Sequence, residues 1–300
     1  MKESIDESLI NSKTMNDEKI FNRLVNKKEI PTCNVLGVNI AAINMEWLLN
    51  YLKENIKSVN GNELTGDYIC VSNVHTTVLS YEDAQYCSIQ NNGLMAIPDG
   101  GPLSTIGRKL GHKDIARITG PSLMDELFKV SIESGYRHYF YGSTDATLEK
   151  LREELEKKYA GIHIAGMYSP PFRALTTEED LEIITRINEA KPDFIWVGLG
   201  APKQERWMAE HQGKINGLMI GVGAGFDYHA NNISRAPKWM QQNNLEWFYR
   251  LLQDPKRLFK RYLYTNSKFM WLILTGGGVK SYRKKGGKRY DEKTKSSNGS

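Results

Sequence analysis

Along the chain, short apolar runs alternate with stretches whose apolar positions recur every three or four residues. "CNVLGVNI" reads as strands about a turn. In "MEWLLNYLKENI", Trp47, Leu48, Tyr51 and Leu52 fall along one helical face. "DYICVSNV" predicts a strand, and "HTTVLSYEDAQYCSIQNN" predicts a helix. "GLMAIP" predicts a short strand running into a turn at Asp99. "GPSLMDELFKVSIESG" predicts a helix opened by Pro121 and Ser122 and closed at Gly135. "RHYFYG", "IHIAGMYSP", "PDFIWVGLG" and "GLMIGVGAGFDY" each begin as strands. Helices are expected in "STDATLEKLREELEKKY", in "TEEDLEIITRINEA", whose first turn is acidic as the helix dipole favours, and in "APKQERWMAEHQ". This alternation predicts an α/β fold, a Rossmann-like, mainly parallel sheet with flanking helices. Such sheets bind ligands at the carboxyl ends of their strands. Function is therefore expected in "SNVHTT", "IPDGGP", "YGSTD", "GLGAPKQE" and "GVGAGFDYHAN".

The C-terminal quarter reads differently. "LEWFYRLLQDPKRLFKRYLY" places Phe248, Leu251, Leu252, Phe259 and Tyr262 near one stripe, with most basic residues elsewhere, and Pro255 is expected to kink or divide this helix. Charge sharpens the division. The 300 residues carry a net +5, but residues 235–300 alone carry +12, which leaves −7 for the first 234. An acidic body with a basic tail suggests an anionic partner, either a nucleic acid or a membrane surface. Three of the six tryptophans (Trp239, Trp247 and Trp271) fall in this tail, and basic residues interleaved with aromatics suit a helix lying among lipid headgroups. An amphipathic helix packed on its own domain fits the pattern as well. No apolar run reaches the roughly 18 residues of a membrane span. The expected organisation is a mobile polar leader over 1–30, an α/β domain over 31–234, a basic amphipathic helical appendage over 235–275, and a disordered basic tail over 276–300. The start is too polar and acidic for a signal peptide. The three cysteines (Cys33, Cys70 and Cys87) lack metal-ligand spacing and suit a reducing cytosolic compartment.

Several loops carry candidate chemistry. In "FYGSTDATLEKL", Gly142 turns the chain, and Ser143 and Thr144 are candidate caps of a helix whose free N–H groups suit a phosphate; an ordinary capped helix fits equally. In "WVGLGAPKQERW", Gly198 and Gly200 allow close backbone approach, Pro202 suits the first helical position, and Gln204 is placed to pair with a base edge. The alternative for Gln204 and Glu205 is helix capping. "IGVGAGFDYHAN" resembles a dinucleotide fingerprint only loosely, because its glycines are out of register and no helix is expected after it. His229 there reads as a loop or packing residue. There is no Asp-x-Asp, Walker loop or zinc-type ligand spacing, so no metal site and no metal cofactor are expected.

Taken in order, "NVHTTVLS", "IPDGGPL", "RITGPSLM", "GLGAPKQERWM", "GVGAGFDY" and "RAPKWM…LEWFYRLLQDPKR" resemble the WecG/TagA/CpsF family, glycosyltransferase family 26. The resemblance runs from about Asn34 to Tyr264. It implies an inverting, metal-independent transferase that moves an N-acetylmannosamine-type sugar from a UDP-sugar to a sugar on undecaprenyl diphosphate. The implied place is the cytoplasm, peripheral at the inner membrane face. The product would feed teichoic acid, capsule or exopolysaccharide synthesis. The implied general base is Asp99. Asn73, Arg117, Gln204 and Asp227 fall on other functional positions. Where some members carry a functional threonine this chain has Val71, so Thr76 or Thr77 is the expected replacement hydroxyl.

Inverting transfer needs a base for the acceptor hydroxyl and positive groups for the departing diphosphate. An aspartate with the usual pKa of about 3.9 is a weak base unless partly desolvated. Helix N-termini, Arg117 and the tail arginines Arg235, Arg250, Arg257 and Arg261 are candidates for the diphosphate or the membrane. A nucleotide-sugar epimerase or dehydrogenase, and nucleic-acid binding through the tail, remain as alternative readings; the tryptophans and the acidic body argue against nucleic acid. A homo-oligomer is left open.

Overall fold

The computed structural model describes residues 30–57 and 61–276. The expected leader and basic tail lie almost wholly outside these residues. The strands are β1 (Thr32–Val35), β2 (Val38–Ala41), β3 (Ile56–Lys57), β4 (Gly61–Asn62), β5 (Tyr68–Ser72), β6 (Met95–Pro98), β7 (Arg137–Gly142), β8 (His163–Tyr168), β9 (Phe194–Gly198) and β10 (Leu218–Gly221). The helices of the body are α1 (Met45–Asn55), α2 (Val74–Glu82), α3 (Ala84–Asn92), α4 (Gly101–Lys109), α5 (Gly120–Ser134), α6 (Asp145–Lys158), α7 (Thr177–Glu189), α8 (Lys203–Glu210) and α9 (Gly225–His229). Three more follow: α10 (Lys238–Gln242), α11 (Glu246–Gln253) and α12 (Pro255–Leu274).

Eight strands form one sheet in the order β1-β2-β6-β5-β10-β9-β7-β8. Only β1 runs antiparallel, through a hairpin whose turn residues Leu36 and Gly37 have φ of 52° and 96°. The other neighbours pair in parallel. Strands buried on both sides divide their residues between two cores. Ile69, Val71, Phe140, Phe194 and Trp196 face α1, α5 and α6, meeting Leu48, Leu127, Phe128 and Leu151. Tyr68, Cys70, Tyr141, Ile195 and Val197 face the other way, meeting Val78, Ile187, Met208 and, from α12, Phe269 and Leu272.

The topology places a crevice. The neighbouring strands β5 and β10 send their following helices to opposite faces: Val78 of α2 joins one core, and Phe226 of α9 the other. Diverging connections at adjacent carboxyl ends leave a gap there, as in other doubly wound sheets. The expected α/β, Rossmann-like architecture is the one found.

Several local expectations change. The helix expected over "HTTVLSYEDAQYCSIQNN" is two, because Asp83 ends α2 and its Oδ1 caps α3, accepting from the N–H groups of Gln85 at 2.9 Å and Tyr86 at 3.1 Å. The polar loop expected after Gly223 holds the short helix α9. Pro202 precedes the first helical residue of α8 instead of occupying it. Helix α4 and the small β3–β4 ladder went unpredicted. Pro255 divides the C-terminal segment by opening α12, while Asp254 caps that helix.

Helix α12 is built into the body along one stripe. Leu258, Thr265, Phe269 and Leu272 are buried, and Lys268 and Tyr264 both reach Glu82 at the end of α2. Phe269→Ala is expected to cost about 3–5 kcal/mol, as deletion of a buried aromatic does. Trp271→Ala, at a position 62% exposed, is expected to stay within about 0.5 kcal/mol. Urea unfolding of the two variants checks this; equal midpoints would mean that α12 is not part of the folded unit.

Candidate active site

Asp99 is set by backbone bonds on either side. Its own N–H donates to the Ser72 carbonyl at 2.7 Å, which ties the end of β6 to the end of β5. The Pro98 carbonyl accepts from the Ile118 N–H at 2.8 Å, which brings "RITG" alongside. Gly100, at φ 118°, then turns the chain into α4, a conformation that side chains rarely adopt. A Cβ on Gly101 would come within 2.4 Å of the Asn244 side chain, so the C-terminal segment closes directly over this loop.

The Asp99 side chain keeps 27% of its exposure, yet protein crowds it on the other sides. Burial is the leading influence and raises its carboxyl to about 6; the Arg117 and Arg235 guanidiniums pull the other way, and Glu246 adds to the rise. Arg117 Nε lies 3.9 Å from Asp99 Oδ1 and has no hydrogen-bond partner among the described residues.

Arg117 belongs to an ion group that joins body and appendage. Its NH1 donates to the Gln241 carbonyl at 3.1 Å, and its NH2 to Glu246 Oε2. The other Glu246 oxygen lies 3.3 Å from Arg235 Nε. Arg235 NH2 also donates to Ser122 Oγ at 2.6 Å and Thr119 Oγ1 at 3.2 Å, and its NH1 is 3.7 Å from Asp125 Oδ2. Tyr228 of α9 faces the same acids; burial pushes its hydroxyl up to about 12. The Arg250 guanidinium lies 5.3 Å from the Tyr228 ring centre.

The remaining sequence candidates separate. Gln204 does not present a free amide to a ligand. It is 4% exposed, and its Oε1 accepts from the N–H groups of Gly200 at 3.1 Å and Gly223 at 3.0 Å. Its Nε2 donates to Glu205 Oε1 at 2.8 Å. Gln204 thus pins together the loops after β9 and β10. Glu205 is fully buried, and burial raises its carboxyl above the usual range against the Gln204 amide and its own backbone N–H, which lower it. Gly142 and Gly198 serve a close approach of two strand ends, since a Cβ on Gly142 would lie 2.7 Å from the Gly198 backbone. A Cβ on Gly198 would lie 2.8 Å from the Phe226 ring. Gly200, at φ 78°, has open space where a Cβ would stand and keeps its candidacy as a ligand-facing glycine.

Ser143 adopts φ 62° and leaves the capping of α6 to Thr144, whose Oγ1 accepts from Thr147 N–H at 3.3 Å. Asn73 Oδ1 caps α2, accepting from His75 N–H at 3.0 Å and Thr76 N–H at 3.2 Å, and its Nδ2 makes no hydrogen bond among the described residues. Thr76 is 1% exposed, and its Oγ1 completes the capping box with the Asn73 backbone. Thr77 is equally buried, with its Oγ1 on the Asn73 and Val74 carbonyls. Asp227 contacts Asn232, which bridges to α6, and no contact joins it to Asp99. Arg257 faces outward and pairs with Asp254 at 2.6 Å. Arg261 is exposed and lies near enough to His75 to help burial lower that imidazole to about 4.

The sequence reading missed Glu246, Tyr228, Thr119 and Ser122. Glu246 had one signal: with Asp254 it is one of two acids in the basic segment 235–274. Among the described residues, no cluster of three or more His, Cys, Asp or Glu side chains is placed to hold a metal ion.

Comparison with known proteins gives this geometry a context. The chain is 29% identical over 227 residues to the N-acetylglucosaminyldiphosphoundecaprenol N-acetyl-beta-D-mannosaminyltransferase of Staphylococcus aureus strain MW2, covering 75% of this chain and 86% of the relative. The enzyme of the same name from strain COL matches at the same identity and coverage. The model of the Glycosyl transferase WecG/TagA/CpsF family matches residues 33–283, and with most of the chain inside that match the protein is a glycosyltransferase of the WecG/TagA/CpsF family.

Proposed function

We propose that the protein transfers an N-acetylmannosamine-type sugar, with inversion and without a metal, from a UDP-sugar to an N-acetylglucosamine-diphosphoundecaprenol acceptor. The observation that carries the reading is Asp99: a carboxyl raised to about 6, at the carboxyl edge of the sheet, with Arg117 at 3.9 Å. The relatives' names supply the sugar and the lipid acceptor. Family membership as a glycosyltransferase leaves the dehydrogenase and epimerase readings without support.

In this mechanism the acceptor hydroxyl oxygen forms a bond to the anomeric carbon as the bond from that carbon to the diphosphate oxygen breaks on the opposite face. Asp99 takes the hydroxyl proton, and the nucleoside diphosphate leaves with the bonding electron pair. A base with a pKa near 6 is ionised at neutral pH and more basic than an exposed aspartate, which suits general-base work. Arg117 and Arg235, anchored from behind by Gln241, Thr119 and Ser122, supply the positive charge that the departing diphosphate requires. In this reading the positive charge at the leaving group comes from arginine and not from a metal ion.

A lipid acceptor requires a membrane surface, and α11 and α12 are suited to meet one. Trp247, Phe248, Leu252, Phe259, Leu263, Trp271 and Leu274 are exposed, with Lys256 and Lys260 among them. Among the described residues no helix is long and apolar enough to cross a membrane. We place the enzyme at the inner membrane face, working from the cytoplasm and feeding teichoic acid, capsule or exopolysaccharide synthesis.

Asp99→Asn is expected to leave UDP binding intact and lower turnover by at least about 10²-fold. Wild-type turnover should fall as pH drops through about 6, because protonation removes the base, and this acid limb should be absent in the residual activity of Asp99→Asn. Both are read from UDP release across pH 5–8, and near-wild-type turnover in Asp99→Asn would assign the residue to the turn alone. Trp247→Ala/Trp271→Ala is expected to weaken binding to phosphatidylglycerol vesicles by about tenfold with no loss of thermal stability. Unchanged vesicle sedimentation would remove α11 and α12 from the membrane contact.

A further inference from the structure

Glu246 is a carboxylate that the transfer reaction does not use, yet it holds both arginines assigned to the leaving group. Its side chain is 11% exposed, with one oxygen on Arg117 NH2 and the other 3.3 Å from Arg235 Nε. Two guanidiniums turned toward two oxygens of one anion form an oxyanion site, of the kind that recognises phosphate as readily as carboxylate. We propose that Glu246 is an internal anion that occupies the diphosphate subsite of the empty enzyme, keeps Arg117 and Arg235 in position, and yields them when a diphosphate binds. The inference rests on the reading of Arg117 and Arg235 as the diphosphate-binding pair.

Three features favour exchange over a fixed structural bridge. First, each arginine has an anchor besides Glu246. Arg117 NH1 is on the Gln241 carbonyl at 3.1 Å, and Arg235 NH2 is on Ser122 Oγ at 2.6 Å and Thr119 Oγ1 at 3.2 Å. Withdrawing Glu246 therefore leaves both guanidiniums held. Second, Glu246 is the first residue of α11, whose N-cap, Leu245, offers no side-chain acceptor. A carboxylate released there remains at the positive end of the helix dipole. Third, the neighbourhood is already acidic. Asp99, Glu246 and Asp125 surround the two arginines, with Tyr228 alongside. A diphosphate added with Glu246 still between the two arginines would meet uncompensated like charge, and withdrawal of Glu246 relieves part of that repulsion.

The arrangement gives Glu246 the role of a positioning residue with a cost in affinity. It preorganises the pair and competes with the ligand for it. A merely structural bridge predicts the opposite sign, because its loss would scatter the arginines and weaken anion binding. Inorganic pyrophosphate is the probe, titrated by calorimetry into wild type and Glu246→Gln at low ionic strength. Glu246→Gln is expected to bind pyrophosphate about tenfold more tightly, the scale of removing one competing charge at a partly exposed site. Glu246→Asp, which keeps the charge but withdraws it by one methylene, is expected to gain about threefold, and this covers the case in which Glu246→Gln is unstable. Unchanged or weaker pyrophosphate binding in both variants would overturn the proposal. A parallel UDP titration keeps the two readings apart. UDP bound by wild type with no gain in either variant removes the role of Glu246 and leaves the donor reading standing. A gain for pyrophosphate with no UDP preference over pyrophosphate keeps Glu246 as the internal anion and removes the uridine nucleotide donor.

Discussion

The carboxylate of Glu246 between the guanidiniums of Arg117 and Arg235 is the contact on which the arrangement of the site depends. It joins α11 and the segment after α9, 11 residues before it, to the segment ahead of α5, 129 residues away. Arg117 then reaches Asp99, so the charge environment of the proposed base is set partly from the C-terminal helices. As a source of stability this group is poor, because taking ions out of water costs much of what their attraction returns. Stability has another source in the same region. Phe269 and Leu272 of α12 are buried in the core on one face of the sheet. The apolar stripe docks the appendage, and the ion group sets charge where the chemistry is proposed.

The rest of the site is held by bonds internal to the sheet edge. Asp99 is fixed through the Ser72 carbonyl, and the stretch before Arg117 through the Pro98 carbonyl. Gln204 gathers the two glycine loops by accepting from Gly200 and Gly223. Behind it runs a buried polar set: Ser72 Oγ donates to Gln90 Oε1 at 2.5 Å, and Gln90 Nε2 to Tyr86 Oη at 3.0 Å. Buried polar groups satisfied in this way fix one arrangement, since each alternative would leave a donor or acceptor unpaired. The loops at this edge are thus short, internally bonded segments positioned by the strands.

The elements were legible where a period was strong. Leu148, Leu151 and Leu155 announce α6, and the alternating runs of β5, β7 and β9 announce strands buried on both faces. The Asp99 turn was legible because Pro98 and two glycines flank it. What escaped was of two kinds. Gln204 and Thr76 looked like ligand contacts because their residue types suit a ligand. Thr76 Oγ1 and Gln204 Oε1 instead meet backbone groups whose positions only the folded loops define. Glu246 escaped because its partners lie 129 and 11 residues away in sequence, and spacing carries no signal for a long-range ion pair. Helix α4 escaped because "GPLSTIGRK" is short and opens with glycine and proline, and Leu103 packs it into the core.

The same helix α12 offers two apolar stripes. A helix that only packs on its own domain buries one stripe and presents polar residues outward. Helix α12 buries Leu258, Phe269 and Leu272, yet also exposes Phe259, Leu263, Trp271 and Leu274. The acids of this region are spent locally: Glu246 on two arginines, and Asp254 on Arg257 and the cap of α12. Lys256, Lys260 and Arg261 therefore remain outward, next to the exposed apolar stripe. A surface for nucleic acid needs the cations and gains little from leucine and phenylalanine, whereas an anionic bilayer engages both. The core accounts for the inner stripe, and the outer stripe is the part that the proposed membrane contact would cover.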